Sequence, residues 1–230
     1  MSMATVLSSS LTLAAAFLVG SLPTALVIGR LRGVDIRRHG SGNIGATNAF
    51  RVLGAPAGVA CLLLDAAKGW APAYLIIGDW LPAVIRRPEA LERPLWGLLV
   101  GIAAIAGHSF SPWVGWRGGK GVAASLGVYL AVAPLPLVVC LLVGVGLIAW
   151  TNYVSVASLV GAVLLPTLIA LWPPGGERSW GVIALTLLLG LFVIWRHRGN
   201  LRRLLAGTEN RLFASRAGGG SSASSGGAAR

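Results

Sequence analysis

The stretch PLVVCLLVGVGLIAWTNYVSVASLVGAVLLPTLIALW, residues 136–172, decides the fold class. It consists of two apolar runs, 136–151 and 154–172, parted by Asn152 and Tyr153, and each is near the length a helix needs to cross about 30 Å of hydrocarbon. Outward from it the pattern repeats. Hydropathy, punctuated by Pro, Gly and charge, predicts helices near 8–29, 52–78, 95–110, 122–133, 136–151, 154–172 and 180–195. The expected fold is an all-α polytopic membrane protein with about seven transmembrane helices. The fourth and fifth segments are short and separated only by Pro134 and Pro136, so five full spans with re-entrant pieces is the alternative. Composition agrees: 55% of the 230 residues are hydrophobic and 11% are charged, where a soluble domain carries about 25% charged residues. The first run, Leu11 to Gly29, follows a segment without Lys or Arg and exceeds the length of a signal core, so it reads as a first span.

The net charge of +12 flanks these runs, and no nucleic-acid-binding pattern accompanies it, which excludes that class. One set of loops carries Arg30, Arg32, Arg37, Arg38, Arg51, Arg117, Lys120 and seven C-terminal arginines from Arg196 to Arg230, against Arg86, Arg87, Arg93 and Arg178 opposite. The positive-inside rule then makes the N-terminus periplasmic and the C-terminus cytoplasmic. Residues 1–213 read as a single membrane domain, and 214–230, rich in Gly, Ser and Ala, as a disordered tail. Cys61 and Cys140 lie in apolar runs, where a thiol acts as a small hydrophobe.

Three polar constellations fall on the basic side. Ser41-Gly42-Asn43-Ile44-Gly45-Ala46-Thr47-Asn48, ending at Arg51, surrounds one cation with neutral hydrogen-bonding groups on a backbone that can turn tightly, a composition that suits a phosphate. Its bland counterpart is a capping turn between helices. The second runs from Gly107-His108-Ser109-Phe110-Ser111-Pro112 to Arg117-Gly118-Gly119-Lys120-Gly121, directly before an apolar run. A Gly-rich turn at a helix N-terminus presents backbone N–H groups to an anion, and Lys120 adds a point charge. This is not a phosphate loop of the nucleotide-binding kind, because Gly121 follows the Lys and no strand precedes it. The third is His197-Arg198-Gly199-Asn200, followed by Arg202, Arg203 and Glu209; His197 and Asn200, three apart, share a helix face. A basic segment holding anionic lipid would explain its arginines but not His197 and Asn200. Ser155 opens a helix on the same side, either as a substrate donor or as an ordinary cap.

Asp65 and Lys68, three residues apart inside the second run, are expected to pair with each other. His39, His108 and His197 have unhelpful spacing for a metal and only Asp35 and Glu209 supply carboxylates beside them, so no metal is assigned. No His precedes an Asp by five positions, which excludes the His-x4-Asp acyltransferase dyad.

With these three motifs in this order, spanning Ser41 to Glu209, the chain resembles the bacterial acyl-phosphate:glycerol-3-phosphate acyltransferase family. The resemblance implies a seven-helix inner-membrane enzyme that moves a fatty acyl group from acyl phosphate to the 1-hydroxyl of glycerol 3-phosphate. It implies no cofactor, no nucleic acid, a site beside membrane lipid, and handover of acyl phosphate from the enzyme that makes it. Ser41, Lys120, His197 and Asn200 would be catalytic. Asn43, Gly45, Asn48, Arg51, His108, Gly118, Gly119, Gly121, Ser155 and Glu209 would bind substrate. Within that reading, Arg51, Lys120 and His197 are expected to hold glycerol 3-phosphate. Ser41, Asn43, Asn200 and the N–H groups of the Gly loop are expected to meet the acyl phosphate and its developing oxyanion. Transport of a phosphorylated metabolite or lipid, and a module that recruits anionic lipid, are the alternatives from other classes.

Overall fold

In a computed structural model of the chain, residues 2–78 and 88–213 are described. Arg86, Arg87 and the expected tail 214–230 lie outside them. The described residues form helices α1 (Met3–Ser21), α2 (Thr24–Leu31), α3 (Ala46–Leu53), α4 (Ala55–Ile77), α5 (Arg93–Ser109), α6 (Val122–Val132), α7 (Pro134–Thr151), α8 (Val154–Leu171), α9 (Trp180–Arg196) and α10 (Arg198–Leu205).

Among the described residues, five segments are long and apolar enough to cross a membrane: Met3–Leu31, Ala55–Ile77, Arg93–Val114, Pro134–Thr151 and Val154–Leu171. A sixth forms if α9 and α10, bent by 56° to one another, count as one span. The all-α polytopic expectation therefore holds. The expected fourth span does not reach span length. Helix α6 has 11 residues, a rise of about 16 Å at 1.5 Å per residue.

Two expected helix boundaries move for local reasons. The first span is broken at Leu22-Pro23: proline lacks an N–H and forces the preceding residue out of the helical region, and Leu22 sits at ψ 121. The second expected segment, 52–78, divides at Gly54, whose φ of +87 suits a residue without Cβ. Arg51, expected in the loop before that segment, belongs to the short amphipathic helix α3.

The break in the first span leaves carbonyls that the membrane cannot hydrate, and neighbouring side chains satisfy them. Ser111 Oγ donates to Ser21 O at 2.6 Å and Lys68 Nζ to Leu22 O at 2.7 Å. Lys68 also pairs with the fully buried Asp65 at 2.9 Å, as expected, and Thr24 Oγ1 donates to the same carboxylate oxygen at 2.5 Å. The two charges thus pin α4 to the broken helix.

Around this, α4 packs on α5 and α6, α1 on α5, α7 on α8, and α8 on α9. Helices α4 and α6 approach closely because Gly69 faces Ala124 and Gly127 faces Ala66; a Cβ at either glycine would fall on the opposing carbonyl. Four loop regions end up together at one end of the bundle. Asn152, between α7 and α8, accepts from Leu212 N and Phe213 N and donates to Phe213 O, while Arg51 reaches Asn210 and Arg211.

Candidate active site

A cleft of about 480 Å3 opens at this end and runs down between helices. Its mouth is polar, lined by Ser41, Asn43, Arg51, Lys120, Ser155, His197, Asn200 and Glu209. Its depth is apolar, lined by Leu62, Leu126, Leu137, Leu141, Val145, Ile148, Leu165 and Leu189. The elements supplying the mouth are far apart in sequence, and hydrogen bonds draw them into one network.

Glu209 is the hub. Its Oε1 accepts from Asn200 Nδ2 at 2.6 Å and Ser155 Oγ at 3.0 Å, and its Oε2 from Arg203 Nε at 2.8 Å. Burial alone would raise this carboxyl, but the bonds from Asn200, Arg203 and Ser155 outweigh it and hold the group below its ordinary value. Asn200 Oδ1 in turn accepts from Lys120 Nζ. Burial pulls the Lys120 ammonium down to about 8; Glu209 opposes this, and Arg203, Arg51 and Arg196 add to it by repulsion. A lysine poised there responds to every charge around the mouth.

His197 is buried at the elbow between α9 and α10, and its Nδ1 lies 2.8 Å from Val193 O. A carbonyl only accepts, so Nδ1 carries the proton and Nε2 of the neutral ring is left as an acceptor. Arg51 donates through Nε to Arg211 O at 3.0 Å and through Nη2 to Asn210 O at 2.7 Å, which fixes its guanidinium at the rim.

Asn48 is buried, and its amide is consumed within its own loop: Oδ1 accepts from Ser41 N at 2.8 Å, and Nδ2 donates to Ile36 O and His39 O. That places it as the brace of the Ser41 turn, where substrate contact was expected. Asn43 Oδ1 similarly accepts from Gly45 N at 3.0 Å. Asp35, one of two carboxylates on this side, is held by Arg37 at 2.7 Å and well below the usual carboxylate range.

The Gly loop requires a correction. Gly118 N donates to Ser109 O and Gly119 N to His108 O, so these N–H groups close a return onto the end of α5 and do not form the expected anion cradle. Gly118 and Gly119 are also absent from the cleft lining, whereas Gly121, Lys120 and His108 are present. Glycine is needed at 119 for space, since a Cβ there would fall on the His108 imidazole. His108 Nδ1 points toward Asp65 Oδ1 at 3.6 Å, which links the loop to the buried pair in α4. The N–H groups that helix geometry leaves open at this point are those of the first turn of α6, which starts at Val122.

Thus the cleft collects Ser41, Asn43, Gly45, Asn48, Arg51, His108, Lys120, Gly121, Ser155, His197, Asn200 and Glu209. Two residues gain a place that the sequence reading had not given them. Arg203 completes the Glu209 network, and Arg196 donates to the carbonyls of both loop glycines. Arginines at the end of a membrane helix look alike in sequence, and no spacing marked these two.

A family model described as glycerol-3-phosphate acyltransferase matches residues 10–207. The glycerol-3-phosphate acyltransferase of Geobacter sulfurreducens is 42% identical over 201 residues, covering 87% of this chain and 96% of that protein. The protein of the same description from Shouchella clausii is also 42% identical, covering 85% and 92%. A crystal structure of PlsY (YgiH), an integral membrane glycerol 3-phosphate acyltransferase, in its glycerol 3-phosphate form superposes with a TM-score of 0.79 at 35% identity, covering 90% of this chain and 96% of that one. Its lysophosphatidic acid form gives 0.76 at 34% identity. On the match across most of its length, this chain belongs to the glycerol-3-phosphate acyltransferase family.

Proposed function

We propose that the chain transfers a fatty acyl group from acyl phosphate to the 1-hydroxyl of sn-glycerol 3-phosphate, giving lysophosphatidic acid and phosphate. The observation that carries this is the single cleft with a cationic, hydrogen-bonding mouth and an apolar depth. A phosphate monoester fits the first part and an acyl chain the second. The bound states of the related PlsY structures, glycerol 3-phosphate and lysophosphatidic acid, are one substrate and the product of this reaction.

Acyl phosphate is a mixed anhydride, so the leaving group is already activated and catalysis reduces to positioning and charge stabilisation. The hydroxyl oxygen bonds to the acyl carbon, the bond from that carbon to the phosphate oxygen breaks, and the hydroxyl proton leaves through His197 Nε2 or through a substrate phosphate. Arg51 and Lys120 hold the phosphate of glycerol 3-phosphate, while His197, expected among them, offers only the acceptor Nε2 and so faces the hydroxyl. Ser41, Asn43 and Asn200, with the first-turn N–H groups of α6, face the acyl phosphate and the developing oxyanion. Glu209 and Ser155 keep Asn200 in register, and His108 supports the loop that carries Lys120.

The polar mouth faces the cytoplasm of a bacterial inner membrane, with the N-terminus outside. Seven crossings result, α6 being a short one packed against α4. The distribution of arginines supports this orientation. Acyl phosphate reaches the apolar limb from the enzyme that makes it. The transport alternative called on Asp65 and Lys68, and both are engaged with each other and with the broken first span.

The test is lysophosphatidic acid formation by purified protein given palmitoyl phosphate and glycerol 3-phosphate. Product that needs both substrates, and that falls at least about 10²-fold in Lys120→Ala as for a lost cationic contact to a reacting phosphate, supports the assignment. A folded protein that forms no product sinks it.

A further inference from the structure

We propose that Arg196 is a positioning residue for Lys120: its guanidinium grips the backbone of the Gly118-Gly119 turn and sets where the lysine emerges. The inference rests on the acyl-transfer reading above. After α5 the chain doubles back, and the N–H groups of Gly118 and Gly119 donate to Ser109 O and His108 O at 3.1 and 3.0 Å. That fixes one edge of the turn to α5. Its other edge, the two carbonyls, accepts from a single nitrogen, Arg196 Nη2, at 3.0 and 2.6 Å. With both edges bonded, the backbone of the turn has no free direction in which to swing.

The grip is seated and shared. Arg196 Cζ lies 5.8 Å from the centre of the Phe110 ring, which caps the end of α5. The side chain is half-buried, with its Nε sealed from solvent. Asn200 follows Arg196 by four residues, across the 56° bend between α9 and α10. One elbow therefore holds the lysine twice, at its backbone through Arg196 and at its tip through Asn200 Oδ1. A topology-signal arginine needs only a hydrated head near lipid phosphates. It needs no pair of carbonyls from a distant loop.

The experiment compares Arg196→Met and Arg196→Lys with wild type in steady-state turnover, with thermal unfolding as a check on folding. Displacing a catalytic group by about 1 Å costs on the order of 10²-fold in rate, and that loss in kcat/KM for glycerol 3-phosphate is expected of Arg196→Met. The alkaline limb of the profile provides a readout that a purely structural role would leave in place. Lys120 is faced by Glu209, Arg203, Arg51 and Arg196, and by the His197 ring. Removing a repelling cation and loosening the turn both favour the ammonium, so the limb moves to higher pH.

Arg196→Lys restores charge on a side chain one atom shorter than the path to Nη2 and returns the limb toward wild type while the rate stays reduced at least threefold. Wild-type kcat/KM with an unmoved limb in Arg196→Met overturns the inference, even if its thermal midpoint falls. If the methionine variant does not fold, the lysine variant decides: a loss under threefold overturns the inference. Absence of turnover in wild type strikes the acyl-transfer reading instead, so the two failures are distinguishable.

Discussion

Replacing Glu209 by Gln tests the network in a way that shape alone cannot answer. The three partners of this carboxylate, Asn200 Nδ2, Ser155 Oγ and Arg203 Nε, all donate to it. An amide of the same size offers one acceptor oxygen and turns an NH2 toward a donor. With the amide oxygen placed at the Oε1 position, Arg203 loses its partner. A hydrogen bond to a charged group contributes about 1.5–3 kcal/mol, which corresponds to roughly 10- to 150-fold if it is expressed in the transition state. There is also a signed effect on pH. The Glu209 carboxylate favours the Lys120 ammonium, which burial has already pulled down to about 8. Without it the lysine loses its proton at lower pH, so the alkaline limb of kcat/KM shifts down, opposite to the shift expected for Arg196→Met. The assay is phosphate release from palmitoyl phosphate across pH 6 to 10 at saturating acyl donor. A Glu209→Gln enzyme with wild-type rate and an alkaline limb in its original place would refute the coupling of Glu209 to Lys120.

Other substitutions separate stability from chemistry. Lys68→Met leaves the buried Asp65 with Thr24 and His108 but without its ammonium partner, and breaking a buried pair costs about 3–5 kcal/mol; the thermal midpoint in detergent should drop, while the surviving folded protein keeps its KM for glycerol 3-phosphate. Asn48→Ala strands the buried Ile36 O at about 1–3 kcal/mol and releases Ser41 N–H and His39 O to solvent; kcat/KM should fall with acyl-chain preference unchanged, as read from a series of acyl phosphates. Gly161 lines the apolar limb and a Cβ there meets nothing within 4 Å. Gly161→Leu should therefore shorten the longest acyl phosphate accepted and leave the KM for glycerol 3-phosphate in place.

The residues that line the polar mouth of the cleft were legible in the sequence because membrane composition isolates them. In a chain with 11% charged residues, polar clusters such as Ser41 to Arg51 and His197 to Asn200 stand out against apolar runs. Their spacing along helix ends put them on one side. The pairings were not legible, because they depend on loops separated by up to 160 positions, as for Arg51 and Arg211. The Gly118-Gly119 N–H groups looked open because sequence gives composition without direction; their bonding to the end of α5 follows only from the chain reversal. Helix breaks were half legible. Pro23 signals one, but where Leu22 O finds a donor depends on Lys68 lying in a neighbouring span. The eleven-residue α6 was expected as a short segment because hydropathy measures how apolar a run is; with Ser125 among apolar neighbours this run qualifies, and it stops after about three turns.

The assignment requires that an acyl group moves and the phosphoryl group stays in place. It is tested most directly with glycerol 3-phosphate carrying heavy oxygen in its 1-hydroxyl. Attack at the acyl carbon places that oxygen in the ester of lysophosphatidic acid and releases unlabelled phosphate, which is the expected result. Heavy oxygen bonded to a new phosphorus, with free fatty acid released, would mean phosphoryl transfer and would contradict the account.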